Sequence, residues 1–192
     1  MSSYDTTFSL SRLWWILGTG LTFMFAVLLY FGGQIYREAP PIPAAFESED
    51  GTLLYARADI LKGQTVWQSI GGMQQGSIWG HGSYLAPDWS SDWLHREATL
   101  LGERVAASDV VTIMRTNTYD PTSEEVTLNA ARVDSIREVA RHYRDLFTGE
   151  PWMQELRKDY AFPIDATLSA AEADALGAFV FWTSWAATPN RP

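Results

Sequence analysis

Positions 13–36, LWWILGTGLTFMFAVLLYFGGQIY, run for 24 residues without a charge. At about 1.5 Å per helical residue this reaches about 36 Å, enough to cross a hydrocarbon layer of about 30 Å. Trp14 and Trp15 at one end, and Tyr30, Phe31 and Tyr36 at the other, fall where interfacial aromatic belts occur. Gly18, Gly20, Gly32 and Gly33 permit close approach of a neighbouring helix. A cleaved signal peptide has a shorter apolar region, a more basic start and a small-residue cleavage site, so the pattern predicts a membrane helix. Arg12 is the only flanking positive charge on the short N-terminal side, which puts the N-terminus in the cytoplasm and the rest outside it.

Beyond the apolar run the pattern changes to short amphipathic segments. The order expected is a tail over 1–12, a transmembrane helix over 13–36, a Pro-rich spacer over 37–50 and a domain over 51–192. Pro40, Pro41 and Pro43 favour extended geometry, and Asp50-Gly51 marks a turn. Asp59 opens a short helix through Ile60, Val66 and Trp67 that Gly71-Gly72 ends. Ser90 or Ser91 caps the next helix, with Leu94, Leu101 and Val105 as its apolar positions. The β-branched run Val110-Val111-Thr112-Ile113 has strand character, and Asp120-Pro121 separates two arms of a hairpin over 117–128. Asn129 caps an amphipathic helix with Val133, Ile136, Tyr143 and Leu146 on its inner face and Arg132, Arg137, Arg141 and Arg144 on others, stopped at Gly149-Glu150-Pro151. Ser169 and Glu172 form a capping box for a last helix carrying Leu176, Phe179, Val180 and Trp182. The fold class is mainly α with a small β-hairpin.

Composition adds three constraints. Nine Trp, eight Tyr and nine Phe give the domain enough rings for a rigid aromatic core or an apolar contact surface. Asp5 and Arg12 cancel, so the net charge of −9 belongs to the part beyond the anchor, and such a domain repels phosphate backbones. Zero cysteines exclude disulfides, thiolate metal sites and covalent haem on a C-x-x-C-H motif.

Candidate chemistry concentrates in 71–89, GGMQQGSIWGHGSYLAPDW, a glycine-rich loop in which Trp79, Tyr84 and Trp89 are suited to pin the backbone by packing. His81 and His95, near Asp88, Asp92 and Glu97, lack the spacing of a metal motif, and His142 on the arginine-rich helix reads as solvated. Ser69 and Ser77 lack a nucleophile-elbow pattern, and the glycines of 71–76 lack the lysine of a phosphate loop.

The run GQTVWQSIGGMQQGSIWGHGSYLAPDWSSDWLHRE over 63–97 resembles the front end of quinol-dependent nitric oxide reductases. The likeness extends to Gly32-Gly33-Gln34-Ile35-Tyr36, the Pro spacer, Asn117-Thr118-Tyr119-Asp120-Pro121 and the closing FWTSWAA over 181–187. It implies a membrane anchor plus a cytochrome c-like domain without haem, in a bacterial inner membrane with the domain periplasmic. Gly72, Met73, Gln74, Gln75 and Gly76 stand where related small subunits carry a haem-binding motif, followed by the retained Gly80-x-Gly82-x-Tyr84 and Ala86-Pro87-Asp88. Aromatic packing then has to fill the space of the haem.

In that family a haem b, a haem b3 and a non-haem iron sit on a catalytic helical bundle, none of whose ligands matches a residue of this chain. The resemblance therefore implies no catalytic residue and no cofactor here, with the bundle and membrane lipid as partners and nucleic acid excluded. The chain reads as a fragment, a truncated product or a separate subunit of an enzyme reducing nitric oxide to nitrous oxide. The resemblance also implies a calcium site shared with the bundle, to which Gly82 and Tyr84 contribute oxygens. On this view Gly82→Val harms assembly more than domain stability. Two alternatives stand beside this reading: an autonomous membrane-anchored sensor or ligand-binding domain, and a metalloenzyme using His81 and His95.

Overall fold

A computed structural model of the protein describes residues 9–163 and 165–188. The chain divides into two compact units, residues 1–40 and 41–192. The first contains α1, Leu10–Glu38, none of whose residues is buried. Its length is about 44 Å at helical rise, and its uncharged middle keeps every backbone group bonded within the helix, as a lipid environment requires. Thr22 returns its hydroxyl to Gly18 O at 2.9 Å. This apolar helix fits a membrane anchor.

The second unit is mainly helical. Its elements are β1 (Ala45–Ser48), β2 (Leu53–Ala56), α2 (Arg57–Ser69), α3 (Gly72–Gln75), β3 (Ser77–Ile78), β4 (His81–Gly82), α4 (Trp89–Gly102), α5 (Ala107–Arg115), β5 (Tyr119–Asp120), β6 (Glu125–Leu128), α6 (Ala130–Thr148), a 3-10 turn (Pro151–Met153), α7 (Gln154–Asp159) and α8 (Ala170–Ala187). Four strands form a sheet in the order β2-β1-β6-β5, with β1 and β6 parallel and the outer pairs antiparallel. The stretch 37–50 thus holds a strand as well as prolines: Phe46 is fully buried and packs edge-on against Phe181 and Trp185, at 4.8 and 5.2 Å between ring centroids.

α8 is the axis of this unit. Every residue from 173 to 186 except Asp174 is buried, as expected of a helix that is apolar all round. It packs against α2, α4 and α6. The α2 crossing is so close that a Cβ on Gly63 would overlap the Ala175 carbonyl and lie 2.7 Å from Phe179 Cβ. Ser169 and Glu172 close the capping box that starts α8: Ser169 N donates to Glu172 Oε2 at 2.9 Å. Asn129 Oδ1 caps α6 by accepting from Ala131 N at 3.0 Å, and Gly149 ends it at φ +80°.

Several sequence expectations change. The run 110–113 is helical, inside α5, because Val110, Ile113 and Met114 supply an inward face at helical spacing while Val111 and Thr112 stay exposed. The cap of α4 is Asp88 rather than Ser90 or Ser91, and its buried stripe is Trp89, Trp93, Glu97 and Leu101. Asp59 sits in the first turn of α2, where its carboxylate accepts from Ala56 N at 2.9 Å. Arg132 does not line an outer face. It is buried with Glu97, Nε to Oε1 at 2.7 Å, while Trp93 Nε1 donates to Glu97 Oε2 at 3.0 Å.

That ion pair joins α4 to α6 inside the core, where removing one charge strands the other. Glu97→Leu should cost about 3–5 kcal/mol. Glu97→Leu combined with Arg132→Met should recover most of that loss, measured by chemical denaturation as a double-mutant cycle.

Candidate functional site

The glycine-rich segment folds as a small platform around one carboxylate. Gly71, at φ +65°, turns the chain out of α2 into α3. β3 and β4 then form a hairpin whose two turn residues, Trp79 and Gly80, both have positive φ, +53° and +76°. This is the primed two-residue turn that suits the twist of paired strands, and a tryptophan at its first position is held there by its surroundings. The Trp79 indole N–H donates to Thr183 O at 2.8 Å, and its ring lies 5.7 Å from that of Trp182. The hairpin is thereby fastened to α8.

Asp88 ties the remaining ends together. Its Oδ2 accepts from Ser77 Oγ at 2.8 Å and from Gly80 N at 2.6 Å, while Oδ1 accepts from Ser91 N at 3.0 Å. Burial alone would raise the Asp88 pKa, but the bonds from Gly80, Ser91 and Ser77 together outweigh it and hold the carboxyl below its ordinary value. Ser77 is therefore a buried donor to Asp88, not a free hydroxyl. Backbone bonds from Ser83 N to Met73 O, 2.8 Å, and from Ala86 N to Gln75 O, 2.9 Å, close the segment onto α3.

Beside the polar Gln74 and His81, the platform exposes large apolar side chains. Tyr84 is 91% exposed, Leu85 61%, Met73 46% and Trp79 43%. The expectation that Tyr84 pins the loop by packing fails: Trp79 and Trp89 do that, and Tyr84 stands free. Gly82 has φ +137°, and a Cβ there would overlap Gly76 O and come within 2.9 Å of Ser77 Cα. A side chain at Gly82 collides with the hairpin's own backbone, so Gly82→Val damages the domain itself. The expectation that it spares domain stability is corrected on that ground.

The histidines are distributed unevenly. His81 is exposed at the hairpin. His95 and His142 line one cavity of about 430 Å³ beside Glu138, which is engaged by Arg104 at 2.6 Å. His142 is half-buried rather than solvated; burial first, then the positive charge of Arg96, lowers its pKa below 6.5. Among the described residues no group of three or more His, Asp or Glu side chains is placed to hold a metal ion.

The space around α3 is filled by indole rings. A Cβ on Gly72 would overlap the Trp67 indole, and one on Gly76 would lie 2.7 Å from Pro87 O and against Trp89. Trp89 is fully buried amid Trp67, Tyr143, Phe147, Tyr160 and Phe162, with ring centroids 5.7–6.5 Å away. Residues 43–112 and 103–192 match the family model for the cytochrome c-like domain of NorB, a nitric oxide reductase component. The chain belongs to this family. No curated protein matches it. As a NorB cytochrome c-like domain, it is part of a nitric oxide reductase and works in a complex with that enzyme's other components, where the family implies haem.

Its own residues do not fit a covalently held haem. Residues 72–76 offer neither thiol nor imidazole, and the indoles of Trp67 and Trp89 occupy the space against their backbone. The calcium expectation at Gly82 and Tyr84 meets a platform whose fastening carboxylate, Asp88, already accepts three hydrogen bonds. Asp88 is therefore committed to the platform's own amides and hydroxyl.

The Asp88 carboxyl has a lower pKa folded than unfolded, so its stabilisation is present above the ordinary 3.8 and is lost as pH falls through the folded value. Protection of the Gly80 and Ser91 amides, relative to their intrinsic exchange at the same pH, should fall in that acidic window. Asp88→Asn should show fast exchange at those amides at neutral pH as well, while α6 keeps its protection.

Proposed function

We propose that this chain is the non-catalytic, membrane-anchored assembly module of a quinol-dependent nitric oxide reductase. The observation that carries the reading is the exposed apolar set Tyr84, Leu85, Met73 and Trp79 on a platform whose hairpin is fastened by Asp88 and α8. A large aromatic ring left 91% exposed on an ordered platform is the kind of feature that anchors a protein interface. The catalytic helical bundle, carrying haem b, haem b3 and non-haem iron and reducing nitric oxide to nitrous oxide, is the proposed occupant of that face.

The proposed organisation is a cytoplasmic tail over 1–12, a single-pass helix over 13–36, a Pro-rich connection over 37–50 and a periplasmic domain over 51–192. The uncharged apolar run and Arg12 on its N-terminal side support it. Electrons come from quinol in the membrane, which is consistent with a domain whose core is filled by aromatic rings. Gly82 and Tyr84 contribute to a shared calcium site completed by the bundle. An autonomous sensor is the alternative in which the same face meets something other than the enzyme.

Tyr84→Phe and Leu85→Asp test the docking face, because both side chains are solvent-exposed. Each should leave thermal unfolding of the domain within about 0.5 kcal/mol of wild type, as surface substitutions do. Co-purification with the haem-containing bundle, and nitric oxide reduction by the assembled enzyme, should fall strongly for Leu85→Asp and mildly for Tyr84→Phe. Unchanged assembly in both variants would remove the docking role. Chelating calcium should lower assembled activity without shifting unfolding of this chain alone.

A further inference from the structure

The cavity of about 430 Å³ opens between α4 and α6, with His95, Arg96 and Leu100 on one wall and Glu138, Val139 and His142 on the other. His142 is half-buried at its edge. Its Nε2 atom is out of reach of solvent and has no hydrogen-bond partner among the described residues. A neutral imidazole tolerates that position, because it carries one N–H and can turn its bare nitrogen inward. The imidazolium does not. Both of its nitrogens carry hydrogens, and one N–H then points into a site without an acceptor, where a charge is costly.

Carboxylates lie nearby, but each has an oxygen committed elsewhere and none accepts from His142. On α4, Asp92 Oδ2 accepts from Arg96 Nε at 2.7 Å and from the Tyr143 hydroxyl at 2.8 Å. On α6, Asp145 Oδ2 accepts from Trp152 Nε1 at 3.2 Å, and Glu138 Oε2 from Arg104 at 2.6 Å. Arg104 also donates to Leu100 O at 2.7 Å. His95 and Arg141 are exposed, and Tyr160 with Asp159 completes the surroundings of Asp92 and Arg96 from the side of α7. Burial dominates the balance at His142, with the charge of Arg96 next, against the weaker pull of Asp92 and Asp145. The imidazole therefore stays neutral to a pH below its ordinary 6.5.

We propose that His142 is an acid-sensitive latch on the seam between α4 and α6, seated while neutral and turned out into the adjoining cavity when it gains a proton. The cavity supplies the room: the ring can leave without displacing Val139 and Tyr143, which are buried on the inner side of the same helix. An unfolded chain takes the proton first. The stability that the seated ring contributes is thus whole above 6.5, declines as pH falls from 6.5 through the folded value, and is level below it. The latch belongs to the domain itself and does not depend on the docking role.

The full chain in detergent micelles, with its histidine rings labelled for NMR, tests this directly. The His142 ring should titrate below 6.5. Across the same interval an uncharged, soluble gadolinium chelate should pass from relaxing that ring weakly to relaxing it as strongly as the exposed ring of His81. Urea unfolding should lose stability over that interval, and His142→Phe, which fills the seat without a titrating group, should lose less. If that variant fails to fold, the relaxation titration decides alone. A ring that gains its proton yet stays shielded, one that titrates at 6.5 or above, or a folded His142→Phe variant with the wild-type pH dependence would each overturn the proposal.

Discussion

The contact on which the rest of the domain depends is the crossing of α2 over α8 at Gly63. No side chain larger than hydrogen fits there, since a Cβ would enter the Ala175 carbonyl. Close backbone approach brings α2 against α8, and α8 in turn receives α4 and α6. A helix surrounded this completely has no polar face to offer water, which is why residues 175–186 are all buried. Its few hydroxyls bond locally or to α4: Ser184 Oγ lies 3.0 Å from both Val180 O and Ser90 O. The chain between those helices is left to form the platform, which takes its position from Thr183 and Ser90.

The same packing gives a domain whose residues do not fit a covalently held haem an interior filled by aromatic rings. Planar rings gathered around Trp89 supply dispersion contacts and apolar burial of the kind that a macrocycle would otherwise bring. Phe147 and Phe162 meet edge-on at 5.7 Å, and Trp93 continues the cluster toward Tyr143 at 5.0 Å and Phe181 at 5.8 Å. Tyr143 keeps its hydroxyl satisfied inside this cluster by donating to Asp92 Oδ2 at 2.8 Å, and burial drives its pKa well above 10.0. Trp89 Nε1 has no partner among the described residues, a polar atom sacrificed to the packing of its ring.

Local chemistry in the sequence was readable where a single turn of chain contains the whole interaction. The Ser169–Glu172 box, the Asn129 cap, the Gly149 stop and the β5–β6 hairpin all depend on partners within a few residues. Pairings between distant segments left no such trace. β1 lies parallel to β6, with Phe46 opposite Val126 across 80 positions of sequence, and neither strand alternates long enough to announce the other. The run 110–113 misled because β-branched side chains favour strands on average, whereas here burial of Ile113 and Met114 on one face decided for helix. Arg132 and Glu97 were opaque for the same reason: each looks like a surface charge until the fold brings Nε and Oε1 to 2.7 Å. In the platform, the glycines announced an unusual loop, but Asp88 as its fastening point emerged only with Ser77, Gly80 and Ser91 in place.

Those three bonds also govern what the platform can do under the proposed docking role. A flexible loop carrying Tyr84 and Leu85 would lose side-chain and backbone freedom on binding, at about 0.5–1.5 kcal/mol for each immobilised side chain. Here Asp88, the Trp79–Thr183 bond and the Ser83–Met73 bond order the backbone in advance. The remaining cost falls on the exposed side chains alone. The ordering has a chemical consequence as well. Asp88 spends its acceptor capacity on the platform's own amides and hydroxyl, so the hairpin retains a phenol and peptide carbonyls as oxygen donors but no uncommitted carboxylate of Asp88. Neutral oxygens alone hold a divalent cation weakly compared with sites that include carboxylates. Under the proposed shared calcium site, a carboxylate other than Asp88 would have to complete the coordination.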